Sequence, residues 1–363
     1  MNAIDFFCGG GGMTKGLIDA GIDVIFGLDS NPNCRETYEN NNNIPYLNRN
    51  ILNVTAEGLL EEFEELNDVD ELLMAGCAPC QPFSILNPKN PNEHISVNLL
   101  NEFGRLVEGI HPAHVLIENV PGIKGKGQEN RHGRVLHRRY AVGASDRGQE
   151  ILNQFINMLE REGYQYDMRV VNAKKYGVPQ NRKRFILIAS RLFTPHIPEE
   201  THGEGLLPYV TVYQAIHNYP VLEAGQVDEN IPNHRAAGLT EINITRLQAT
   251  PHNGGSRTDW PQELWLNCHR NFQGHRDVYG RMAWDSVSPT LTVKCFSISN
   301  GRFAHPEQNR GISLREAAAL QTFPDDYIFY GNLQEIGKQI GNAVPVLLAQ
   351  VMGEYILNQH NEV

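Results

Sequence analysis

Short, uniformly apolar runs alternate with amphipathic stretches along the first half of the chain. Residues 3–8, 24–29, 72–76, 115–118 and 185–190 have the length and composition of buried strands. Residues 13–20 read as a helix stopped by Gly21, and residues 151–162 place Ile151, Phe155, Met158 and Leu159 on one helical face. Strands alternating with helices predict a mainly parallel sheet covered on both sides, with ligands bound beyond the carboxyl ends of the strands. Over residues 194–279 the periodicity fades into proline, glycine, histidine and asparagine, which predicts a separate lobe of short strands and loops. Residues 313–321 read as a helix capped by Ser313, with Glu316 completing a capping box. Residues 337–357 are expected to close the chain as a turn followed by an apolar helix.

The candidate chemistry sits at the ends of these strands. The first runs into Gly9-Gly10-Gly11-Gly12 and a helix, and the second ends on Asp29. This is a nucleotide-binding arrangement, in which amides at a helix N-terminus approach the ligand and the acid holds ribose hydroxyls. Four glycines equally suit a flexible turn with no ligand. Ala78-Pro79-Cys80-Gln81 follows the third run and Ile117-Glu118-Asn119-Val120 closes the fourth, which pairs a candidate cysteine nucleophile with an acid.

At 363 residues the chain exceeds the roughly 250 to 300 at which a single core stops growing, so two lobes are expected. No apolar run approaches the roughly 20 residues of a membrane span, and no signal peptide precedes residue 3, so a cytoplasmic protein without a membrane partner is expected. Six cysteines in so long a chain do not resemble a disulfide framework, which leaves Cys80 as a free thiol. Cys77 and Cys80 form a Cys-x-x-Cys without a second pair at zinc-finger spacing; Cys77 reads as a packed small residue, and no metal site is expected. A net charge of -11 argues against a nucleic-acid partner, yet residues 124–147 carry seven basic against two acidic residues and residues 174–191 carry six basic and no acidic ones. These stretches are either solvated faces or phosphate-binding patches.

In order along the chain, residues 5–12 (Asp-Phe-Phe-Cys-Gly-Gly-Gly-Gly), 76–84 (Gly-Cys-Ala-Pro-Cys-Gln-Pro-Phe-Ser), 118–120 (Glu-Asn-Val), 180–184 (Gln-Asn-Arg-Lys-Arg), 315–324 and 341–345 (Gly-Asn-Ala-Val-Pro) match motifs of one family. The chain resembles the DNA (cytosine-5) methyltransferases over most of its length, the variable middle excepted. The resemblance implies an α/β, Rossmann-like methyltransferase fold with a mixed sheet and a smaller, loop-rich target-recognition domain. It implies a catalytic and cofactor-binding domain over residues 1–190, completed by residues 327–363. Residues 191–326 would form the small domain, with target recognition at about residues 191–280.

The implied reaction is methylation of carbon 5 of a cytosine flipped out of duplex DNA. Carbon 5 is a poor nucleophile until a thiolate adds at carbon 6, and Cys80 is the implied thiolate, its pKa lowered by a strand-to-helix turn and nearby cations. Glu118 would contact ring nitrogen 3 and the exocyclic amine, Arg184 the carbonyl oxygen at carbon 2, and Arg182 would support the pocket. S-Adenosylmethionine, leaving as S-adenosylhomocysteine, would lie against Phe7, Gly9, Gly11, Gly12 and Pro79. Asp29 would meet its ribose, Asn50 and Ile51 its adenine, and Asn342 and Val344 would complete the pocket, which implies that the last helix packs back on the first lobe. The chain departs from the family in having Asn50 where an aspartate is usual, and in the length of residues 124–149, which read as a surface insert or a DNA clamp. Gln81, Ser84, Asn119, Arg257, Arg270 and Arg276 are the implied DNA contacts, with a loop over residues 84–96 closing on the flipped base and the middle lobe reading the major groove. The compact chain points to a prokaryotic restriction-modification enzyme acting as a monomer, with a cognate restriction endonuclease as a possible partner. The alternatives are transfer RNA methylation, which goes with a shorter middle region, and a DNA-binding relative that has lost activity.

Overall fold

The computed structural model of the chain describes residues 1–78, 99–124, 144–270 and 277–363. In chain order the main elements are β1 (Asn2–Phe6), α1 (Gly12–Asp19), β2 (Asp23–Asp29), α2 (Arg35–Asn42), β3 (Tyr46–Asn48), α3 (Ala56–Glu62), β4 (Leu72–Gly76), α4 (Leu99–Ile110), β5 (His114–Asn119), α5 (Ala144–Arg161), β6 (Gln165–Asn172) and β7 (Lys183–Ser190). There follow α6 (Val212–Ile216), α7 (Glu241–Gln248), α8 (Asn267–Arg270), α9 (Leu314–Leu320), α10 (Leu333–Asn342) and α11 (Val346–His360).

The strands form one seven-stranded sheet in the order β3-β2-β1-β4-β5-β7-β6. Strands β1 to β5 pair in parallel, whereas β7 is antiparallel to both β5 and β6. The expected parallel sheet therefore carries an antiparallel edge, and this reversal builds the site. It brings the beginning of β7 to the edge where β5 ends, with Asn119 opposite Phe185 and Arg184 one step beyond. The central strands β4 and β5 are buried along their whole length, as runs covered on both faces must be.

One apolar core joins Ile4, Phe6, Phe26 and Met74 to Phe103, Phe155 and Leu159 of α4 and α5. The other face joins Leu17, Val24, Leu116 and Ile188 to Leu348, Met352 and Ile356 of α11. The last helix thus packs on the first lobe. A side chain at Gly16 would meet the Ala349 Cβ at 2.4 Å and the Val346 carbonyl at 2.5 Å, so α1 and α11 approach backbone to backbone. A third core gathers Val212, Ile216, Met282, Leu291, Phe296 and Leu314, and continues into α10 through Ile336 and Ile340.

Several expectations are corrected. Among the described residues 194–279 there are short helices, turns and isolated bridges rather than the expected short strands. Gly337 lies inside α10, not in a turn: a Cβ there would strike the Phe296 ring at 2.6 Å, so this glycine serves packing. Residues 333–360 are also long and apolar enough to cross a membrane by length and composition, contrary to the sequence reading. In the fold they are two helices parted at Ala343–Pro345, whose Ile340, Leu348, Met352 and Ile356 are buried in the cores. The capping box at Ser313 and Glu316 is present as expected.

At the opposite edge of the sheet, a line of polar groups running from the buried Ser190 and His114 to the half-exposed Glu71 ties α11 to the strands. Ser190 Oγ lies 3.0 Å from His114 Nδ1, His114 Nε2 lies 3.1 Å from His360 Nδ1, and His360 Nε2 lies 3.1 Å from Glu71. The Met1 amine also meets Glu71, at 3.5 Å. The Leu192 and Phe193 amides donate to Ser190 Oγ, so its hydroxyl hydrogen is directed at His114, whose ring accepts it through Nδ1. Burial, with His360 and Arg191 nearby, pushes the His114 pKa down from 6.5 to about 3. The folded state therefore keeps this ring neutral where the unfolded chain protonates it. The stability it contributes is complete above pH 6.5 and is lost as the pH falls toward 3. Between those limits this group alone removes about 1.4 kcal/mol per pH unit. Urea midpoints of the wild type and His114→Asn should converge on acidification from pH 7 to pH 5; parallel midpoints would remove His114 from the acid response.

Candidate active site

The glycine turn is held from three sides. The Gly9 amide donates to Asp29 Oδ2 at 3.0 Å, and the other oxygen of that carboxylate accepts from the Asn31 amide at 2.8 Å. Tyr327 donates its hydroxyl to the Gly10 carbonyl at 2.8 Å and accepts from Asn42 at 3.1 Å. A Cβ at Gly11 would lie 2.4 Å from the Tyr327 hydroxyl, and one at Gly12 2.4 Å from the Val344 carbonyl. Gly11 also has a φ of 87°, and these positions accept glycine alone. Burial raises the Asp29 pKa, against the pull of its amide donors. Beneath the turn, Asp5 is fully buried with its carboxyl bonded to Thr14, and burial lifts its pKa to about 7.

Through Gly9, Gly10 and Gly12 the turn faces a cavity of about 680 Å³ along the carboxyl edge of the sheet, whereas Gly11 packs on Tyr327 and is not on its wall. At one end are Phe7, Gly9, Gly12, Asp29 and Asn31, at the other Ala78, Glu118, Asn119, Arg182 and Arg184, and Asn342 and Val344 supply the C-terminal wall. Glu118 and Arg184 form an ion pair at 2.7 Å between Oε1 and Nε, with side chains only 9% and 11% exposed. A carboxylate and a planar guanidinium side by side offer acceptor and donor edges to a flat polar ring.

Arg182 is buried and spent on the backbone. Its guanidinium donates to the Leu291, Gly341 and Ala343 carbonyls at 2.9 to 3.0 Å, which pins the C-terminal segment to the start of β7. Burial lowers its pKa to about 9. Asn119 donates to the Ala78 carbonyl at 2.9 Å and accepts from the Val120 amide at 2.8 Å, tying the exit of β4 to the end of β5. Cys77 also lines the cavity, but burial and the nearby Glu118 raise its pKa well above the ordinary thiol value, so it is no thiolate.

Pro79, Cys80, Gln81, Ser84 and Arg276 lie outside the described residues, as do the loop over residues 84–96 and most of residues 124–149. Asn50 and Ile51 are not on the described cavity wall: the Asn50 amide oxygen accepts from the Leu52 amide at 3.1 Å, and Ile51 is buried in the first core. Arg257, implied as a DNA contact, is only 5% exposed. Arg270 is exposed at the end of α8. The sequence reading missed Asn31, Lys338 and Gln339 on the cavity wall and Tyr327 and Asn42 behind it. Lys338 and Gln339 stand just before the Gly341-Asn342 motif, but Tyr327 and Asn42 carry no local signal, since they meet the glycine turn only through the fold.

Comparison with known proteins agrees with this geometry. The family description C-5 cytosine-specific DNA methylase matches residues 1–358. The type II methylase M.HgiDII of Herpetosiphon aurantiacus is 39% identical over 359 residues, covering 97% of this chain and 94% of that protein. The type II methyltransferase M1.HphI of Haemophilus parahaemolyticus is 31% identical over 365 residues, covering 98% and 87%. Among solved structures, a protein described as a DNA modification methyltransferase, encoded within an E. coli prophage, superposes with a TM-score of 0.72 at 23% identity over 99% of both chains. The S. pombe Dnmt2 methyltransferase superposes at 0.57 with 17% identity, covering 100% of this chain and 98% of that one. A glycine turn and an acid–arginine pair on one cavity, with a family match running nearly end to end, show that this chain belongs to the C-5 cytosine-specific DNA methylases.

Proposed function

We propose that the enzyme transfers a methyl group from S-adenosylmethionine to carbon 5 of a cytosine flipped out of duplex DNA, through a transient bond to Cys80. The observation that carries this reading is the Glu118–Arg184 pair, nearly buried at the end of the cavity away from the glycine turn. The cofactor fits the residues present: a Cβ at Gly9, which lines the cavity, would meet no protein atom within 4 Å and would take up open space, Asp29 offers a carboxylate for ribose hydroxyls, and the volume suits a ligand of that size. Bound there, it supplies an electrophilic methyl group.

The Cys80 sulfur adds to carbon 6 of the ring, and Glu118 holds the proton at nitrogen 3 as electron density moves to carbon 5. Arg184 donates to the oxygen at carbon 2 as charge builds there. Once carbon 5 carries the methyl group it gives up its proton to a base, the bond from carbon 6 to sulfur breaks, and the thiolate returns. Arg182 and Asn119 act by position, one through the C-terminal wall and the other through Ala78.

The domain division at residues 190 and 326 and the reading of flanking bases by residues 191–280 belong to the same proposal. The exposed Arg270 is its described candidate contact. The type II relatives support a restriction-modification role; a cognate endonuclease and action as a cytoplasmic monomer belong to the same proposal. The test is to incubate the enzyme and cofactor with duplex DNA containing 5-fluorocytosine, and in parallel with labelled cofactor on unmodified DNA and transfer RNA. A denaturation-resistant complex on the fluorinated duplex, with label on DNA only, is expected; label on transfer RNA only, or transfer without an adduct, would overturn the reading.

A further inference from the structure

A second cavity, of about 370 Å³, adjoins the first and shares Asn31, Lys338 and Gln339 with it. Its rim carries two exposed lysines, Lys294 and Lys338, and among the described residues neither has a carboxylate within ion-pair distance. On a chain of net charge -11, two such lysines together are a local exception.

The frame that presents them is rigid. A Cβ on Gly337 would lie 2.6 Å from the Phe296 ring, and one on Gly341 2.3 Å from the Thr292 backbone, so the segment ahead of Phe296 lies directly on α10. The start of that segment is fastened to the catalytic side: the Leu291 amide donates to Gln180 at 2.9 Å, and the Leu291 carbonyl accepts from Arg182 at 2.9 Å. Lys294 and Lys338 thus share one rim by packing. Among the described residues the carboxylate lining this cavity is Glu335, whose oxygens accept from the Asn332 amide at 2.8 Å and the Asn33 side chain at 3.1 Å, while in the adjoining cavity the Lys338 charge acts on Asp29. Glu335 offsets part of the charge but leaves both ammonium groups facing solvent. Val293, 41% exposed, and Phe296 add apolar surface suited to a sugar.

We infer that Lys294 and Lys338 hold the phosphodiester backbone of the DNA beside the cavity that receives the cytosine, a contact that rests on the proposed function and adds the place where the strand is gripped. Two free ammonium groups on a fixed rim match a polyanion in charge and attract it through counterion release.

The test measures affinity of the full-length enzyme for a mixed-sequence duplex across a salt series, with S-adenosylhomocysteine present. Lys294→Gln and Lys338→Gln should each lower the slope of log affinity against log salt by about 0.9, and the double variant by about 1.8. Arg161→Gln, at the far edge of the sheet beside Glu108 and Glu162, should leave the slope as it is. Affinity of the Lys294→Gln variant for S-adenosylhomocysteine, measured alone, should stay within about twofold. An unchanged slope in the double variant would overturn the contact, as would a loss of cofactor affinity with DNA binding intact. Failure of the wild type to bind duplex DNA at all would instead sink the functional reading on which the contact rests.

Discussion

Cys80→Ser should reduce methyl transfer by at least about four orders of magnitude while S-adenosylhomocysteine binds within about twofold of the wild type. A serine hydroxyl stays protonated where a thiol beside cations ionises, and an alkoxide is not available at neutral pH to add to the ring. The setting on the described side of this residue supports the role. Asn119 grips the Ala78 carbonyl immediately before Pro79, and Glu118 and Arg184 stand at the end of the neighbouring strand. Cys77→Ser is the matched control, because burial keeps that thiol protonated and its loss should change the rate only slightly. Initial rates with labelled cofactor decide the matter: turnover by the Cys80 variant, or equal loss in both variants, would contradict a nucleophile at position 80.

Glu118→Gln should lower the single-turnover rate by about two to four orders of magnitude, and Arg184→Ala by about two to three. The two substitutions separate chemistry from folding. Glutamine keeps a hydrogen bond to Arg184 but cannot hold and release a proton, so its effect should fall on the rate. Removing Arg184 leaves a nearly buried carboxylate without its partner, a change that destabilises by about 3 to 5 kcal/mol where pairs are buried. Combining Glu118→Gln with Arg184→Met should therefore recover most of the stability lost in Arg184→Ala and none of the activity. Melting and single-turnover rates measured on the same variants check both halves. Recovered activity in the double variant would show that the pair is structural only.

Much of this site was legible before any fold was known. The glycine run, Asp29 and Glu118 stand at strand ends that apolar periodicity alone locates, and Cys80 follows the β4 run in sequence, because a buried strand must be apolar throughout while its end is free to carry chemistry. Strand β4 began and ended where its apolar run does, and the Ser313 cap formed as its local pattern requires. Strand β6 escaped notice because, as an edge strand, it alternates partly exposed residues such as Asp167 and Arg169 with no continuous apolar run. Helix α2 escaped because its sequence is polar apart from Tyr38.

Residue types and their order along the chain determined which groups could do chemistry and where the continuous apolar strands lie, since both follow from side-chain character and local period. Tertiary structure alone decided which of them meet. The antiparallel entry of β7 puts Arg184 against Glu118, the return of α10 and α11 closes the cavity, Tyr327 comes to Gly10, and Arg257 is largely buried. Such contacts join residues far apart in sequence, and no local pattern carries the packing that chooses among them.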